Sequence, residues 1–245
     1  MHNTFITKYF KWSEREPSRR VRWLNRWILR LGVPLRLVPL NQTGLMTNVE
    51  QRMNMFHLAR QVLVQGVPGD FVELGCHAGQ SAVLLQKVIE NYDEARKLHV
   101  YDSFEGLPDL AEADGATPFR PGQLAVEQQR LLDNFDRYGL KSPVVHPGWF
   151  DETLPQELPE QIAFAHLDGD LYDSVLVSLE HVYPRLSPGA LCLVDDYCDP
   201  EVTEQEDHLP GVKRACDEFL ADKPETVSVL YSGPLPHGFF RKRGE

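Results

Sequence analysis

The 245-residue chain lacks the marks of several large protein classes. No apolar run approaches the roughly 18–20 residues that span a bilayer. The four cysteines show no CxxC spacing and no histidine at metal-ligand spacing. The start of the chain has no apolar core of a secretory signal, so we expect a cytoplasmic protein with free thiols. The net charge of −11 argues against nucleic acid as the main partner.

Basic residues are concentrated at the N-terminus, where residues 1–38 hold nine Lys/Arg and two acids. The stretch VRWLNRWILRLG places apolar residues at helical spacing among Trp and Arg, which predicts an amphipathic helix. One interpretation is that this helix packs on its own domain or on a second subunit of a homodimer. The other is a peripheral contact with anionic lipid or a partner, which Arg and Trp suit. We therefore divide the chain into a basic helical extension, 1–40, and a main domain, 41–245.

From about residue 48 onward, apolar strands alternate with amphipathic helices. We predict strands at GDFVELG, LHVYDSF, PVVHPGWF, QIAFAHLD and ALCLVDD, and a closing antiparallel pair at VSVLYSG and HGFFRKR. Intervening helices include QLAVEQQRLLDNFDRYG and SVLVSLEHVYPRLSPG. This alternation is typical of an α/β domain whose mostly parallel sheet is covered by helices on both faces. Ligands of such sheets bind beyond the carboxyl ends of the strands, which is where the polar clusters of this chain fall.

The first of these strands ends in an E-x-G-x-x-x-G pattern made by Glu73, Gly75 and Gly79. Glycines let a backbone approach a ligand, and the following helix start offers free N–H groups, with Ser81 able to donate to a carboxylate. His77 stands where a dinucleotide fingerprint has its middle glycine, which argues against a pyrophosphate cradle. The alternative is a tight turn that needs glycine for its geometry alone.

The second strand ends in YDSFEGLP, with Asp102 lying 27 residues after Gly75 and Ser103 beside it. An acid at this place can accept both hydroxyls of a ribose, so the pair of motifs indicates a nucleoside-containing ligand. The alternative is an aspartate that caps the turn after the strand.

Aspartates follow the fourth and fifth strands. Asp168 ends one strand, and Asp195 and Asp196 end the next, so we expect their carboxylates to converge. Three carboxylates this close would repel one another unless a hard cation neutralised them. Oxygen ligands without Cys or His suit Mg²⁺ or Mn²⁺. Asp170 is a candidate for positioning substrate, and Asp173 is predicted to cap the helix that starts near residue 174.

Taken together, these residues resemble the macrocin O-methyltransferase family. The resemblance covers about residues 41–242 and rests on VELGCHAGQSA, YDSFEGLP, HPGWFDETLP, HLDGDLYDS with SLEHVYPRLSPGALCLVDDY, and GVKRACDEF. It implies the class I methyltransferase fold, with seven strands of which the last is antiparallel. It also implies S-adenosylmethionine and Mg²⁺ as cofactors, a small-molecule hydroxyl acceptor, and the metal role of Asp168, Asp195 and Asp196. The first 38 residues and the loop 106–122 depart from the pattern.

The resemblance also assigns cofactor contacts residue by residue. The methionine part would be held at the first strand and helix, the ribose at the second strand, the adenine after the third, and a separate segment would cover the cofactor. The residues concerned are, in that order, Glu73, Gly75, Gly79 and Ser81; Asp102 and Ser103; Gly148, Trp149 and Phe150; and Thr47.

The expected reaction is displacement at a sulfonium methyl by a metal-bound hydroxyl, which predicts a sugar or other vicinal diol as acceptor. Asp168 is the first candidate for general base, and Asp170 and His166 are further candidates. Two other interpretations compete with this one. The chain could be an NAD-dependent oxidoreductase, against which His77 and the missing Tyr-x-x-x-Lys pair count, or a non-catalytic nucleoside-binding scaffold subunit, which would not need the acid cluster.

Overall fold

The computed structural model describes residues 19–33, 46–203, 207–232 and 235–244. The chain divides into two compact units, Met1–Met46 and Thr47–Glu245. The first unit contains α1 (Arg19–Arg30), which confirms the predicted amphipathic helix, while much of the predicted extension lies outside the described residues. The role of this helix as a contact for a second subunit, a partner or a lipid surface stays a prediction.

The second unit is built on one sheet of seven strands in the order β3-β2-β1-β4-β5-β7-β6. The strands are β1 (Asp70–Leu74), β2 (Leu98–Asp102), β3 (Val144–Pro147), β4 (Ile162–Leu167), β5 (Leu186–Asp195), β6 (Ser228–Leu230) and β7 (His237–Arg241). Strands β1 to β5 pair in parallel, and β7 runs antiparallel to both of its neighbours, β5 and β6. The predicted mostly parallel sheet with an antiparallel closing strand is therefore confirmed.

The first helix of this unit precedes β1, and the later helices lie between strands along the chain, as the alternating pattern predicts. They are α2 (Val49–Val64), α3 (Gln80–Tyr92), α4 (Gln128–Tyr138), α5 (Phe150–Glu157), α6 (Tyr172–Val182) and α7 (Pro210–Leu220), with short 3₁₀ turns at Glu112–Asp114 and Tyr183–Arg185. Neighbouring helices pack in two groups, α2 with α3 and α4, and α5 with α6 and α7. This grouping is expected for helix layers on the two faces of a central sheet.

The centre of the sheet is the most deeply buried part of the second unit. Every residue of β4 is buried, as are residues 190–195 of β5. Such strands are apolar along their whole length because helices cover both faces. The strand order reverses its direction between β1 and β4, so the crevice beyond their carboxyl ends is where a ligand site is expected.

Helix α4 begins later than the sequence predicts. The expected helix over residues 123–139 starts only at Gln128. Leu107 donates its N–H to the carbonyl of Gln123 (2.8 Å) and accepts from the N–H of Gly122 (2.8 Å), and Leu124 has φ +70°. These contacts hold the segment before α4 against the preceding loop in a non-helical conformation, which apolar periodicity alone does not reveal.

The predicted capping role of Asp173 is wrong. Helix α6 begins at Tyr172, so Asp173 lies inside its first turn, and the residue at the N-cap makes no side-chain capping bond. The Tyr172 N–H is instead satisfied by Asp114, whose Oδ1 accepts it at 2.6 Å while Oδ2 accepts from the N–H of Ala111 at 2.7 Å. A cap that comes from 58 residues away is invisible in the local sequence.

The four cysteines are buried and free, as predicted. Burial raises the pKa of the Cys76 and Cys192 thiols well above the usual value, so these side chains behave as core residues rather than nucleophiles. Among the helices described, none is both long enough and apolar enough to cross a bilayer.

Candidate active site at the carboxyl ends of the central strands

The turn after β1 brings two strand ends into direct backbone contact. Gly75 has φ +90°, and a Cβ placed on it would lie 1.9 Å from the carbonyl oxygen of Asp168. The Asp168 N–H donates to the carbonyl of Leu74 at 2.8 Å, which extends the β1–β4 ladder past the last strand residues. Gly75 is therefore required because no side chain fits, and it sets the position of Asp168.

The same turn leads into α3 through Gly79, which has φ +76°, and Ser81 lies buried in the first turn of that helix. Glu73, two residues before Gly75, has 0 % exposure, and its Oε1 accepts a hydrogen bond from Nδ1 of His166 at 2.9 Å. The other oxygen, Oε2, is buried without a hydrogen-bond partner among the described residues. An unpaired buried carboxylate oxygen is costly, and the ammonium group of a ligand would satisfy it.

Asp102 at the end of β2 fixes two turns. Its Oδ2 accepts from the N–H of His77 and its Oδ1 from the N–H of Phe104, both at 2.7 Å. Asp102 therefore caps the turn after its strand, which was the alternative interpretation of this residue. Each of its carboxylate oxygens keeps a second lone pair that can accept from a ligand hydroxyl. The Ser103 hydroxyl is engaged in its own turn, where it donates to the carbonyl of Gly106 at 3.0 Å and accepts from the N–H of Glu105 at 3.1 Å.

Two further predicted segments reach this edge of the sheet. Gly148 donates its N–H to the carbonyl of Asp102 at 2.9 Å, which places Trp149 and Phe150 beside the end of β2. The Phe150 ring borders Gly169, where an added Cβ would be 3.5 Å from the ring. Thr47 directly precedes Asn48, the N-cap of α2.

Asn48 ties the start of α2 to the loop that joins β6 to β7. Its Nδ2 donates to the carbonyl of Ser232 at 2.5 Å, and its Oδ1 accepts from the N–H of Gln51 at 2.8 Å. Because β6 runs parallel to the central strands, its end and this loop belong to the carboxyl edge of the sheet. Thr47 is therefore held at the same edge as the other predicted cofactor residues.

Three aspartates converge beyond β4 and β5. One carboxylate oxygen each of Asp168, Asp170 and Asp196 lies within 4.8 Å of the other two, and we call this group the aspartate cluster. Asp170 and Asp196 both have φ +58°, a left-handed conformation that aspartate tolerates better than most residues. Asp170 takes part in a group that the sequence analysis assigned to Asp168, Asp195 and Asp196.

Asp195 belongs to a second group, which we call the histidine cluster. Its Oδ1 contacts Nε2 of His237, the residue opposite it on β7, and lies 3.7 Å from Nε2 of His166. Adjacent residues of a strand point to opposite sides, which is why Asp195 and the following Asp196 enter different clusters. Both histidines approach the same oxygen of Asp195, Oδ1, and neither of these contacts involves Oδ2.

The two clusters differ in charge. Burial would raise the pKa of Asp195, but the charges and hydrogen bonds of His237 and His166 outweigh it and hold that pKa below its usual range. Burial would likewise lower the pKa of His166, but the nearby carboxylate of Asp195 and the hydrogen bond to Glu73 raise it well above 6.5 instead. The histidine cluster therefore holds Asp195 as an anion.

In the aspartate cluster, nearby positive charge does not outweigh burial and the repulsion between carboxylates. Burial, followed by the charge of Asp195, raises the pKa of Asp168 and Asp196 well above the usual carboxyl range. Burial, then Asp195 and Asp102, raises the pKa of Asp170 to about 7. Three carboxylates close together with too little positive charge form a site for a cation, and the all-oxygen donor set fits a hard divalent ion such as Mg²⁺.

Two features escaped the sequence analysis. His237 opposes Asp195 only because β7 pairs with β5 in one particular register, and the sole signal was a histidine at the start of the predicted closing strand. The left-handed conformation of Asp170, which lets it join the cluster, has only the Gly169 before it as a signal. His166, a candidate base, has 0 % exposure, so the structure favours a positioning role over contact with substrate.

Comparisons with known proteins agree with this geometry. The family model described as macrocin O-methyltransferase (TylF) matches residues 39–221. A Streptomyces olivaceus enzyme named 8-demethyl-8-(2,3-dimethoxy-alpha-L-rhamnosyl)-tetracenomycin-C 4'-O-methyltransferase is 40% identical over 162 residues, which are 62% of each chain. Mycinamicin III 3''-O-methyltransferase of Micromonospora griseorubida is 34% identical over 174 residues, 65% of this chain and 67% of that one. The matched segment thus spans just under two thirds of the first relative.

Solved structures show the same fold. The O-methyltransferase NovP has a TM-score of 0.70 and 28% identity, and the match covers 84% of this chain and 85% of that one. The O-methyltransferase TomG from Streptomyces achromogenes, solved in complex with SAM, has a TM-score of 0.58 at 14% identity, with both chains fully covered, a similarity of fold alone. The fold is therefore that of class I O-methyltransferases. Because the family model spans most of the chain and the expected strands, turn and acids are in place, this chain belongs to the macrocin O-methyltransferase family.

Proposed function

We propose that the protein is an S-adenosylmethionine- and Mg²⁺-dependent O-methyltransferase that acts on a hydroxyl of a sugar carried by a small molecule. The observation that supports this most strongly is the aspartate cluster, which lies directly beside the glycine turn of β1. The contact between Gly75 and Asp168 makes the two sites neighbours. A methyl donor bound at the turn and a hydroxyl held at the cluster would thus be close together.

The cofactor contacts in this proposal are those carried over from the family pattern. The buried, unpaired Oε2 of Glu73 supports a contact with the methionine ammonium group. The free lone pairs of Asp102 support a contact with the ribose hydroxyls. The remaining proposed contacts are Gly75, Gly79 and Ser81 for the methionine part, Ser103 beside the ribose acid, Gly148, Trp149 and Phe150 at the adenine, and Thr47 over the cofactor.

The proposed metal ligands are Asp168, Asp195 through Oδ2, and Asp196, with Asp170 at the same site. A divalent cation held there would supply Lewis acidity that lowers the pKa of an acceptor hydroxyl. Vicinal oxygens on a sugar suit such a site because both can meet one ion.

Asp170 is the proposed general base. Its pKa of about 7 in the cation-free protein shows surroundings that favour the protonated carboxyl, which suits a group that accepts a hydroxyl proton. Asp168, the first candidate from the sequence, has its backbone fixed by the Leu74 and Gly75 contacts and is assigned to metal binding. His166, the third candidate, is enclosed between Glu73 and Asp195.

The acceptor class follows from the relatives. One of the two relatives described above is named for a methyl transfer to a rhamnosyl group, and both are named for modifying natural products. We therefore propose a glycosylated natural product or a related sugar derivative as the acceptor.

Two experiments test the function. In a thermal-shift assay, S-adenosylhomocysteine should raise the melting temperature and NAD should not; the reverse result would favour the oxidoreductase interpretation. Methyl transfer from labelled S-adenosylmethionine should then be screened against glycosides and their matched aglycones, with Mg²⁺ or with EDTA. Transfer to glycosides alone, dependent on Mg²⁺, is the expected result, and equal transfer to the aglycones would contradict the sugar acceptor.

A further inference from the structure

Four ionisable side chains form a buried row across the sheet. Glu73 on β1 pairs in register with His166 on β4, and Asp195 on β5 pairs in register with His237 on β7. Their exposures are 0, 0, 6 and 0 % respectively. Ionisable groups are seldom buried this deeply unless they are paired, so the row requires an explanation.

Acids and bases alternate along this row. Glu73 Oε1 bonds His166 Nδ1 at 2.9 Å, His166 Nε2 lies 3.7 Å from Asp195 Oδ1, and His237 Nε2 touches that same oxygen. The direct contact between His237 and Asp195 leaves no room for an ion between them. The row therefore sets one imidazole beside each carboxylate, a balance of partners that needs no metal inside the row.

This balance determines which way Asp195 faces. A carboxylate at a strand end with no fixed partner can rotate, and rotation would remove it as a ligand. With both histidines beside Oδ1, rotation of the carboxylate is hindered, and Oδ2 is the oxygen that remains for the cation of the proposed metal site. Partners in the outer shell of a metal site orient ligands in this way, and their loss typically weakens metal binding about 10–100-fold.

We propose that His237, supported by His166, is a positioning residue that locks the Asp195 carboxylate in place as a ligand of the divalent cation. The inference deepens the proposed function and rests on its metal site. His237 contacts Asp195 from β7, behind the cluster, and its complete burial excludes contact with the acceptor. Its effect on the reaction therefore passes through Asp195.

The test measures Mn²⁺ binding directly, by electron paramagnetic resonance titration of the full chain with S-adenosylhomocysteine present. In His237→Leu, Asp195 loses its close partner, and the dissociation constant for Mn²⁺ should rise about 10–100-fold. In His237→Gln, the side-chain amide can place an N–H near the position of Nε2, and the constant should stay within about threefold of wild type.

The matched control is His146→Leu. His146 is also a buried histidine on a strand, and its Nδ1 contacts Oε2 of Glu157 at 2.5 Å, away from both clusters. This variant should lose stability, as His237→Leu does, but should bind Mn²⁺ as the wild type does. Both the folded state and the melting temperature of each variant are checked by circular dichroism.

Three outcomes would overturn the proposal. One is a folded His237→Leu protein with wild-type Mn²⁺ affinity. Another is a loss of affinity in His146→Leu equal to that in His237→Leu, which would make the effect one of general stability. If His237→Leu does not fold, a tenfold or larger loss in folded His237→Gln contradicts the proposal. Failure of the wild-type protein itself to bind Mn²⁺ would instead overturn the metal site of the proposed function, and this inference with it.

Discussion

Asp195 and Asp196 are adjacent in the chain and are the same residue type, yet their surroundings are opposite. Asp195 meets two histidines, and after the cost of burial is counted their charge still holds its pKa below the usual range. Asp196 turns into a group of acids, where burial and then the charges of Asp195 and Asp170 raise its pKa well above that range. Asp195 is the more deeply buried of the two, and burial raises a carboxyl pKa, so burial does not explain the difference.

The pKa of each of these acids thus depends mainly on the charges near it. Those charges differ because the two side chains leave the strand in opposite directions. The histidines beside Asp195 keep its carboxylate ionised. The carboxylates of Asp196, Asp168 and Asp170 would be neutralised by a bound cation. A site of this kind joins one preformed anion to several acids that ionise when a cation arrives.

The largest expected effect is on catalysis, where the two aspartates should behave alike. Asp196→Asn and Asp195→Asn each remove a ligand charge from a site that contributes several kcal/mol to the transition state. The value of kcat/KM should fall by about 1,000-fold in both. The measurement is transfer of labelled methyl groups at saturating Mg²⁺. Near-normal activity in either variant would show that its carboxylate is not a ligand.

Stability should separate the same two variants. Asp195→Asn breaks a buried pair and leaves His166 and His237 without their anionic partner, so the free energy of unfolding should fall by about 3–5 kcal/mol. Asp196→Asn removes a carboxylate that is repelled in the fold, so in EDTA it should be slightly more stable than wild type. Urea denaturation in EDTA measures both. Equal losses in the two variants would mean that the aspartate cluster carries no excess charge.

The backbone contact that places Asp168 beside the turn can be tested at Gly75. In Gly75→Ala the new Cβ would meet the Asp168 carbonyl at 1.9 Å with φ +90°, so unfolding free energy should fall by at least about 2 kcal/mol. Gly66→Ala is the control because it has φ +66° with nothing within 4 Å, and it should lose only about 1 kcal/mol. Similar losses at the two positions would remove the argument that this contact fixes the site.

The smallest expected effect is the pH dependence. The folded-state pKa of Asp170, raised to about 7, lies above its unfolded value, so its ionised form destabilises the cation-free fold. Without a cation, the free energy of unfolding should therefore rise as the pH falls from 8 toward 5. The stabilisation that comes from the lowered pKa of Asp195 is lost only below about pH 4. Mn²⁺ must displace protons from the aspartate cluster, so its affinity should increase by at least about fivefold from pH 6 to pH 7. Calorimetric titration across that range checks this, and a flat profile would contradict it.

The sequence was sufficient to predict the strands, most of the helices and the edge of the sheet at which the candidate site lies. Strands that end in Gly75, Asp102, Asp168 and Asp196 are readable because apolar runs stop at polar residues, and parallel strands bring those ends together. It was not sufficient to predict which acids share a cluster. That depends on the left-handed backbone at Asp170 and on the register that sets His237 opposite Asp195, and both are fixed by tertiary contacts rather than by local pattern.

The residue that caps α6 could not be predicted from the local sequence either. Asp173 has the composition and position of a cap, but Asp114 reaches the first N–H of α6 from another segment. The start of α4 is likewise set by a backbone contact between Leu107 and Gln123. Local propensity was overruled in each case by a partner that is distant in sequence.

The central claim is that the acids of β4 and β5 bind a divalent cation on which methyl transfer depends. The most direct measurement is the rate of methyl transfer to a glycoside acceptor by protein stripped with EDTA, before and after Mg²⁺ is restored. Stripping should reduce the rate by about 1,000-fold, and excess Mg²⁺ should restore it in the wild-type protein but not in Asp196→Asn. An undiminished rate in excess EDTA would contradict this claim.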